Sequence, residues 1–133
     1  MDKKVTASGI LVKFGNMVLL GRRSNACVDL HGYWSMPCGV IDQGETALQS
    51  ATREFFEETN VKLSSEIKPL TIFQMKNGYY FQVFHTEIKS LIYPEENAKD
   101  ALEHDEWGFF TIGKNTIPTP ITKEVKKSIL MLI

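Results

Sequence analysis

The stretch that decides the reading is Gly39 to Val61, GVIDQGETALQSATREFFEETNV. Its acids are not scattered. Glu54, Glu57 and Glu58 fall at i, i+3 and i+4, so a helix of about 3.6 residues per turn carries them on one face. Like charges at that spacing repel, and the face is tolerated when solvated or when a cation sits among the carboxylates. Hard divalent cations such as Mg²⁺ take oxygen ligands and complete their shell with substrate phosphates. Arg53 stands four residues before Glu57 and eight after Glu45, in reach of either carboxylate. Thr46 and Gln49 form an S/T-x-x-Q capping box that starts the helix, and Leu48, Ala51 and Phe55 recur as its apolar stripe, beside the carboxylate face.

These residues resemble the Nudix box, Gx₅Ex₇REUxEExGU, with U a bulky apolar residue. Gly39 takes the place of the first glycine and Glu45 that of the isolated glutamate. Arg53-Glu54-Phe55 matches REU, Glu57-Glu58 matches EE, and Val61 the last apolar position. One specified position departs, Asn60 for glycine. Asn is the usual substitute where a chain leaves a helix through the left-handed region. A second departure precedes the box: Pro37-Cys38-Gly39 stands where the family has two glycines after the proline. The resemblance implies that the backbone carbonyl at Cys38 faces the metal. It implies Glu54, Glu57 and Glu58 as metal ligands and catalytic acids, Arg53 as their partner, and Gly39 and Glu45 as structural members.

Outside the box the chain has strand and turn signals. Val5 to Val12 and Met17 to Leu20 read as strands around a Phe14-Gly15-Asn16 turn, ended by Gly21-Arg22-Arg23. The two arginines read equally as solvated charges or, by the resemblance, as substrate-binding residues beside a nucleotide. Asn25 to Tyr33 is a loop, and Trp34 a packing residue. Pro69 to Gln74 and Tyr79 to Ile88 are strands around Lys76-Asn77-Gly78. Pro94 to Asp105 is an acidic loop, Trp107 to Ile112 a short strand. Thr119 and Pro120 read as the start of a final helix with Ile121, Val125, Ile129 and Leu132 inward. The expected class is α/β, a mixed sheet with helices on both faces; the resemblance implies the Nudix-type α/β/α sandwich.

Composition narrows the classes. The 133 residues suit a single domain, 1–133, with a hydrophobic core. A net charge of −1 supplies no basic field for polymeric nucleic acid or anionic membrane. Two cysteines, Cys27 and Cys38, form no disulfide framework, and no signal or membrane span is legible, so a cytoplasmic setting is expected. The resemblance implies an Mg²⁺-dependent hydrolase, Mn²⁺ substituting, that cleaves the pyrophosphate bond of a nucleoside diphosphate linked to another group. The partner is then a small nucleotide, and a homodimer is an assembly the family often shows. A further metal carboxylate or general base is expected from the late loop. Glu103 and Glu106 are the candidates, with Glu106 preferred for the Glu-Trp pair it forms with Trp107. Which acid is the base stays open. Tyr79, 18 residues after the box, resembles the tag of dinucleoside polyphosphate hydrolases and is the candidate to stack on a base; ordinary strand aromatics fit the pair Tyr79 and Tyr80 as well. Two other classes remain: a non-catalytic Nudix-like module binding nucleotide or RNA, and a prenyl diphosphate isomerase, for which Cys38 would be the thiol.

Overall fold

The computed structural model describes residues 3–27 and 29–133. Seven strands form one mixed sheet: β1 (Val5–Phe14), β2 (Met17–Arg23), β3 (Trp34–Ser35), β4 (Cys38–Val40), β5 (Ile67–Gln74), β6 (Tyr80–Glu87) and β7 (His104–Thr111). Two α-helices join them, α1 (Ala47–Thr59) and α2 (Lys123–Leu130). β1 is central. It runs parallel to β6 on one edge; on the other it pairs antiparallel with β4 through Ala7–Gly9 and with β2 at Lys13 and Phe14. β5 extends the sheet beyond β6, while β7 and β3 both lie against β2.

The alternation of β1 divides the core in two, since successive side chains point to opposite faces. Ile10 and Val12 join Leu19, Phe84, Ala51 and Phe55 under α1. Leu11 joins Val18, Leu20, Val83, Val125 and Ile129 under α2. One helix therefore covers each face, and the α/β/α sandwich is the observed architecture.

Helix α1 starts where its capping box places it, with Thr46 accepting from the Gln49 N–H and the Gln49 side chain returning to the Thr46 N–H. Its inner face departs from the expected stripe. Ala51 and Phe55 are buried, but Leu48, in the first turn at the rim of the sheet, stays 41% exposed. Glu58 takes the inward place instead, three residues after Phe55 and seven after Ala51, and is buried. The carboxylate face thus overlaps the buried stripe.

The helix ends at Asn60, which is left-handed (φ 59°, ψ 24°) and donates its N–H to Phe56 O at 2.7 Å. Asn60→Gly is expected to leave the melting temperature nearly unchanged, losing only an exposed bond from Asn60 Nδ2 to Glu95. Asn60→Val should cost about 1–2 kcal/mol, because a β-branched residue is strained there. Thermal unfolding of the two variants checks this; equal melting temperatures would contradict it.

Among the boundaries that differ from expectation are those of β2, β7 and α2. β2 continues through Arg22 and Arg23 because β7 pairs with it along that length, and β7 accordingly begins at His104 rather than Trp107. α2 begins at Lys123, capped by Thr122, whose Oγ1 accepts from Val125 N. Thr119 does not cap it: Thr119 and Pro120 lie in a bend, and the Pro120 carbonyl accepts from the Trp34 N–H of β3. Among the described residues, no helix is long and apolar enough to cross a membrane.

Candidate active site

β4 sets the orientation of the site. Ile10 N bonds Pro37 O, and Ile41 N bonds Thr6 O. In an antiparallel ladder bonded pairs alternate, so the intervening bonded pair is Ser8–Gly39. The carbonyls of Cys38 and Val40 then point away from β1, towards α1. Val40 O indeed accepts from Arg53 Nη2 (3.2 Å) and Ser50 Oγ (3.4 Å). Cys38 O shares that direction. Gly39 has no side chain for a steric reason: a Cβ there would overlap the Glu54 carboxyl group.

Arg53 organises the acids around it. Its Nε and Nη2 bond the two Glu45 oxygens at 2.6 and 3.0 Å, a bidentate pair. Its Nη1 is shared by Glu54 Oε1 (3.0 Å) and Glu57 Oε1 (2.8 Å), and Nη2 lies 3.3 Å from Asp42. Glu45 is therefore a partner of Arg53. The guanidinium, with the Asp42 backbone N–H, holds the Glu45 carboxyl down at about 2. A group with a depressed folded pKa stabilises above its unfolded value and loses that contribution as pH falls through the folded one. Glu45→Gln should accordingly lower the melting temperature at pH 7. The deficit should shrink as pH falls from about 4.5 towards about 2, read by thermal scans at stepped pH. A deficit independent of pH would show that the ion pair is not its source.

The other box carboxylates are pushed the opposite way. Burial raises Glu54 to about 7 against the pull of Arg53. Burial raises Glu58 well above the usual range, with Glu103 and Glu54 adding repulsion and a backbone hydrogen bond from Cys38 opposing it. Glu58 is 2% exposed, and its Oε2 has no hydrogen-bond partner. Oε1 lies 3.5 Å from Nε2 of His104, a contact the sequence did not suggest.

The late acids divide differently from expectation. Backbone N–H groups of Glu95 and Asp100 cap the last carbonyls of α1, those of Thr59 and Glu57. This folds the acidic loop over the helix end and brings Glu103, in a 3₁₀ turn (Ala101–Glu103), near the site: its charge acts on both Glu54 and Glu58. Glu106 lies instead on β7 opposite Arg22, paired with its guanidinium at 3.2 Å and half exposed. Of the two late acids, Glu103 is the one whose charge acts on the helix carboxylates, while Glu106 faces Arg22. Strand pairing decides this, since the expected loop position of Glu106 is ladder.

Arg22 also bonds Asp105 at 2.8 Å and stacks 5.8 Å over Trp34. Arg23 is bonded to Asp29 at 3.0 Å. Both arginines line a cleft of about 440 Å³ together with His31, Trp34, Asp105 and Pro120, in which none of the helix glutamates takes part. Tyr79 sits at the β5–β6 turn, 45% exposed, with Lys4 over its ring. The structure does not bring it to the carboxylates.

A model of the NUDIX domain matches residues 2–130. The chain belongs to the Nudix family. Among curated proteins, one from Rhodopseudomonas palustris named RNA pyrophosphohydrolase is 38% identical over 60 residues, 44% of this chain and 36% of that one. A protein of the same name from Bartonella bacilliformis is 27% identical over 119 residues, 71% of this chain and 69% of that one. In the first of these matches this Nudix chain spans little more than a third of the relative's length. Among solved structures, a MutT NUDIX hydrolase from Burkholderia pseudomallei superposes with a TM-score of 0.77 at 18% identity, over 99% of this chain and 100% of that one. An Ap4A hydrolase from C. elegans gives 0.64 at 19% identity, covering 80% of each. At these identities the likeness is one of fold.

The donor atoms of this Nudix site fit a hard divalent cation. They are oxygens, carboxylate and carbonyl, and the Glu58 Oε2 is buried without a partner. Among the described residues, no three acidic, His or Cys side chains stand together as a ready-made ligand group. Arg53 Nη1 lies between Glu54 and Glu57.

Proposed function

We propose that this Nudix chain is a pyrophosphohydrolase working as one domain. It cleaves a phosphoric anhydride in a nucleoside diphosphate linked to another group. The observation that carries the reading is the unpartnered, buried Glu58 oxygen, in a chain that keeps every box carboxylate. Glu54, Glu57, Glu58 and the Cys38 carbonyl would hold Mg²⁺, or Mn²⁺ in its place. When bound, the cation neutralises phosphate charge and makes water a better nucleophile. Glu54, a partly buried carboxylate on the same helix face, is one candidate for the general base that takes the proton of the attacking water. Glu103, pushed up by burial beside these acids, is the alternative base. Arg53 holds Glu54 and Glu57 in place through its contact with Glu45.

The relatives' names and the chain's charge bear on the substrate class. RNA pyrophosphohydrolase, the name of the curated relatives, adds a polyphosphorylated RNA end to the small nucleotides expected from the sequence. The deciding experiment is release of phosphate or pyrophosphate from a panel: nucleoside triphosphates, a dinucleoside polyphosphate, a nucleotide sugar and a short 5′-triphosphorylated RNA, each with Mg²⁺ and with Mn²⁺. Turnover of none of them, with binding retained, would leave the non-catalytic module as the reading.

The isomerase alternative needs a reactive thiol, and burial pushes the Cys38 thiol up to about 12, which keeps it protonated. Cys38→Gly should therefore keep its hydrolase turnover with Mg²⁺ within a few-fold. It should lower the melting temperature, since the Cys38 side chain fills space over Gly9. A folded Cys38→Gly protein without activity would restore a role for sulfur.

A further inference from the structure

Glu58 is held by more than its helix. Its contact with His104 joins two side chains that are 2% and 3% exposed. The imidazole is wedged in place. The Trp107 ring lies 4.5 Å from it, centroid to centroid. Gly21 on β2 is bare beneath both rings, because a Cβ there would collide with His104 and with Trp107. Gly21 pairs with Trp107 in the β2–β7 ladder, so the slot is made by strand pairing. His104 thus reaches Glu58 from β7 of the sheet, across from β2. The arrangement leaves Glu58 Oε2 unpartnered.

We propose that His104 is a positioning residue: its Nε2–H fixes Oε1 of Glu58 so that Oε2 is presented to the divalent cation. This rests on the pyrophosphohydrolase reading above. Outer-shell donors of this kind set the rotamer of a ligating carboxylate, and losing one typically costs about 10–100-fold in metal affinity.

The test measures Mn²⁺ binding to the full chain by EPR without substrate, alongside turnover and melting temperature in chelator. His104→Leu should weaken Mn²⁺ binding about 10–100-fold, with little change in melting temperature. His104→Gln, whose amide N–H reaches the Nε2 position, should recover most of the affinity. In a Glu58→Gln background, His104→Leu should weaken Mn²⁺ no further. If His104→Leu does not fold, His104→Asn, whose amide stops short of Glu58, takes its place with the same expected loss. Unchanged Mn²⁺ affinity in the donor-less variant overturns the proposal, as does an equal loss in His104→Gln. Absence of Mn²⁺ binding by the unsubstituted chain is a separate result and overturns the functional reading itself.

Discussion

Replacing Glu58 by glutamine is expected to lower turnover at least about 100-fold while leaving the fold intact, and Glu57→Gln should do the same. A loss of that size corresponds to about 2.7 kcal/mol of transition-state stabilisation, the range expected when a charge aimed at a reacting phosphate is removed. The two variants should differ in stability. Glu58 is buried against His104 with one oxygen unpartnered, so its ionised form is disfavoured in the fold. A neutral amide of the same shape removes that cost, and Glu58→Gln should melt at or above the parent temperature near pH 7. Glu57 is held by Arg53 at 2.8 Å and lies 3.6 Å from Lys99, so Glu57→Gln forfeits an ion pair and should melt slightly lower. Steady-state kinetics with Mg²⁺ and thermal scans measure both effects. Near-parental turnover in both variants would remove the metal-site assignment, whatever the melting temperatures.

Gly39→Ala is expected to abolish most activity through a single methyl group. A Cβ at this position would occupy the space of the Glu54 carboxyl. The strand cannot yield easily, because β4 is tied to β1 on one side and to Arg53 through Val40 O on the other. The Glu54 side chain must therefore rotate away, leaving its Arg53 contact. Loss of the proposed base and ligand should lower kcat by about 100-fold or more, and overpacking should cost about 1–3 kcal/mol of stability. The cause is separable by a double-mutant cycle. In a Glu54→Ala background the collision is gone, so Gly39→Ala should there cost little stability. A Gly39→Ala protein as active as the parent would show that Glu54 does not need its place over the glycine. A full stability cost in the Glu54→Ala background would place the strain elsewhere.

Much of this was legible in the chain itself. Thr46 and Gln49 start α1, Asn60 ends it left-handed, and Glu45 and Arg53 pair across eight residues. All of these are local: caps and turns satisfy backbone groups of near neighbours, and helical spacing alone puts Arg53 within reach of Glu57. The order of strands and helices likewise implied a sheet covered on both faces, and the structure sends Ile10 and Val12 to one face and Leu11 to the other. What the chain did not reveal depends on partners far apart in sequence. The depth of Glu58, the contact with His104, and the nearness of Glu103 rather than Glu106 to the helix carboxylates all follow from where β7 pairs with β2 and how the acidic loop caps α1. Strand register and loop docking are set by the whole sheet, and a shift of one residue turns a side chain to the opposite face. The sequence by itself therefore determined which carboxylates stand together on the helix. Only the tertiary structure decided which of them is buried, which residue from the other end of the chain meets it, and which acid of the late loop comes near.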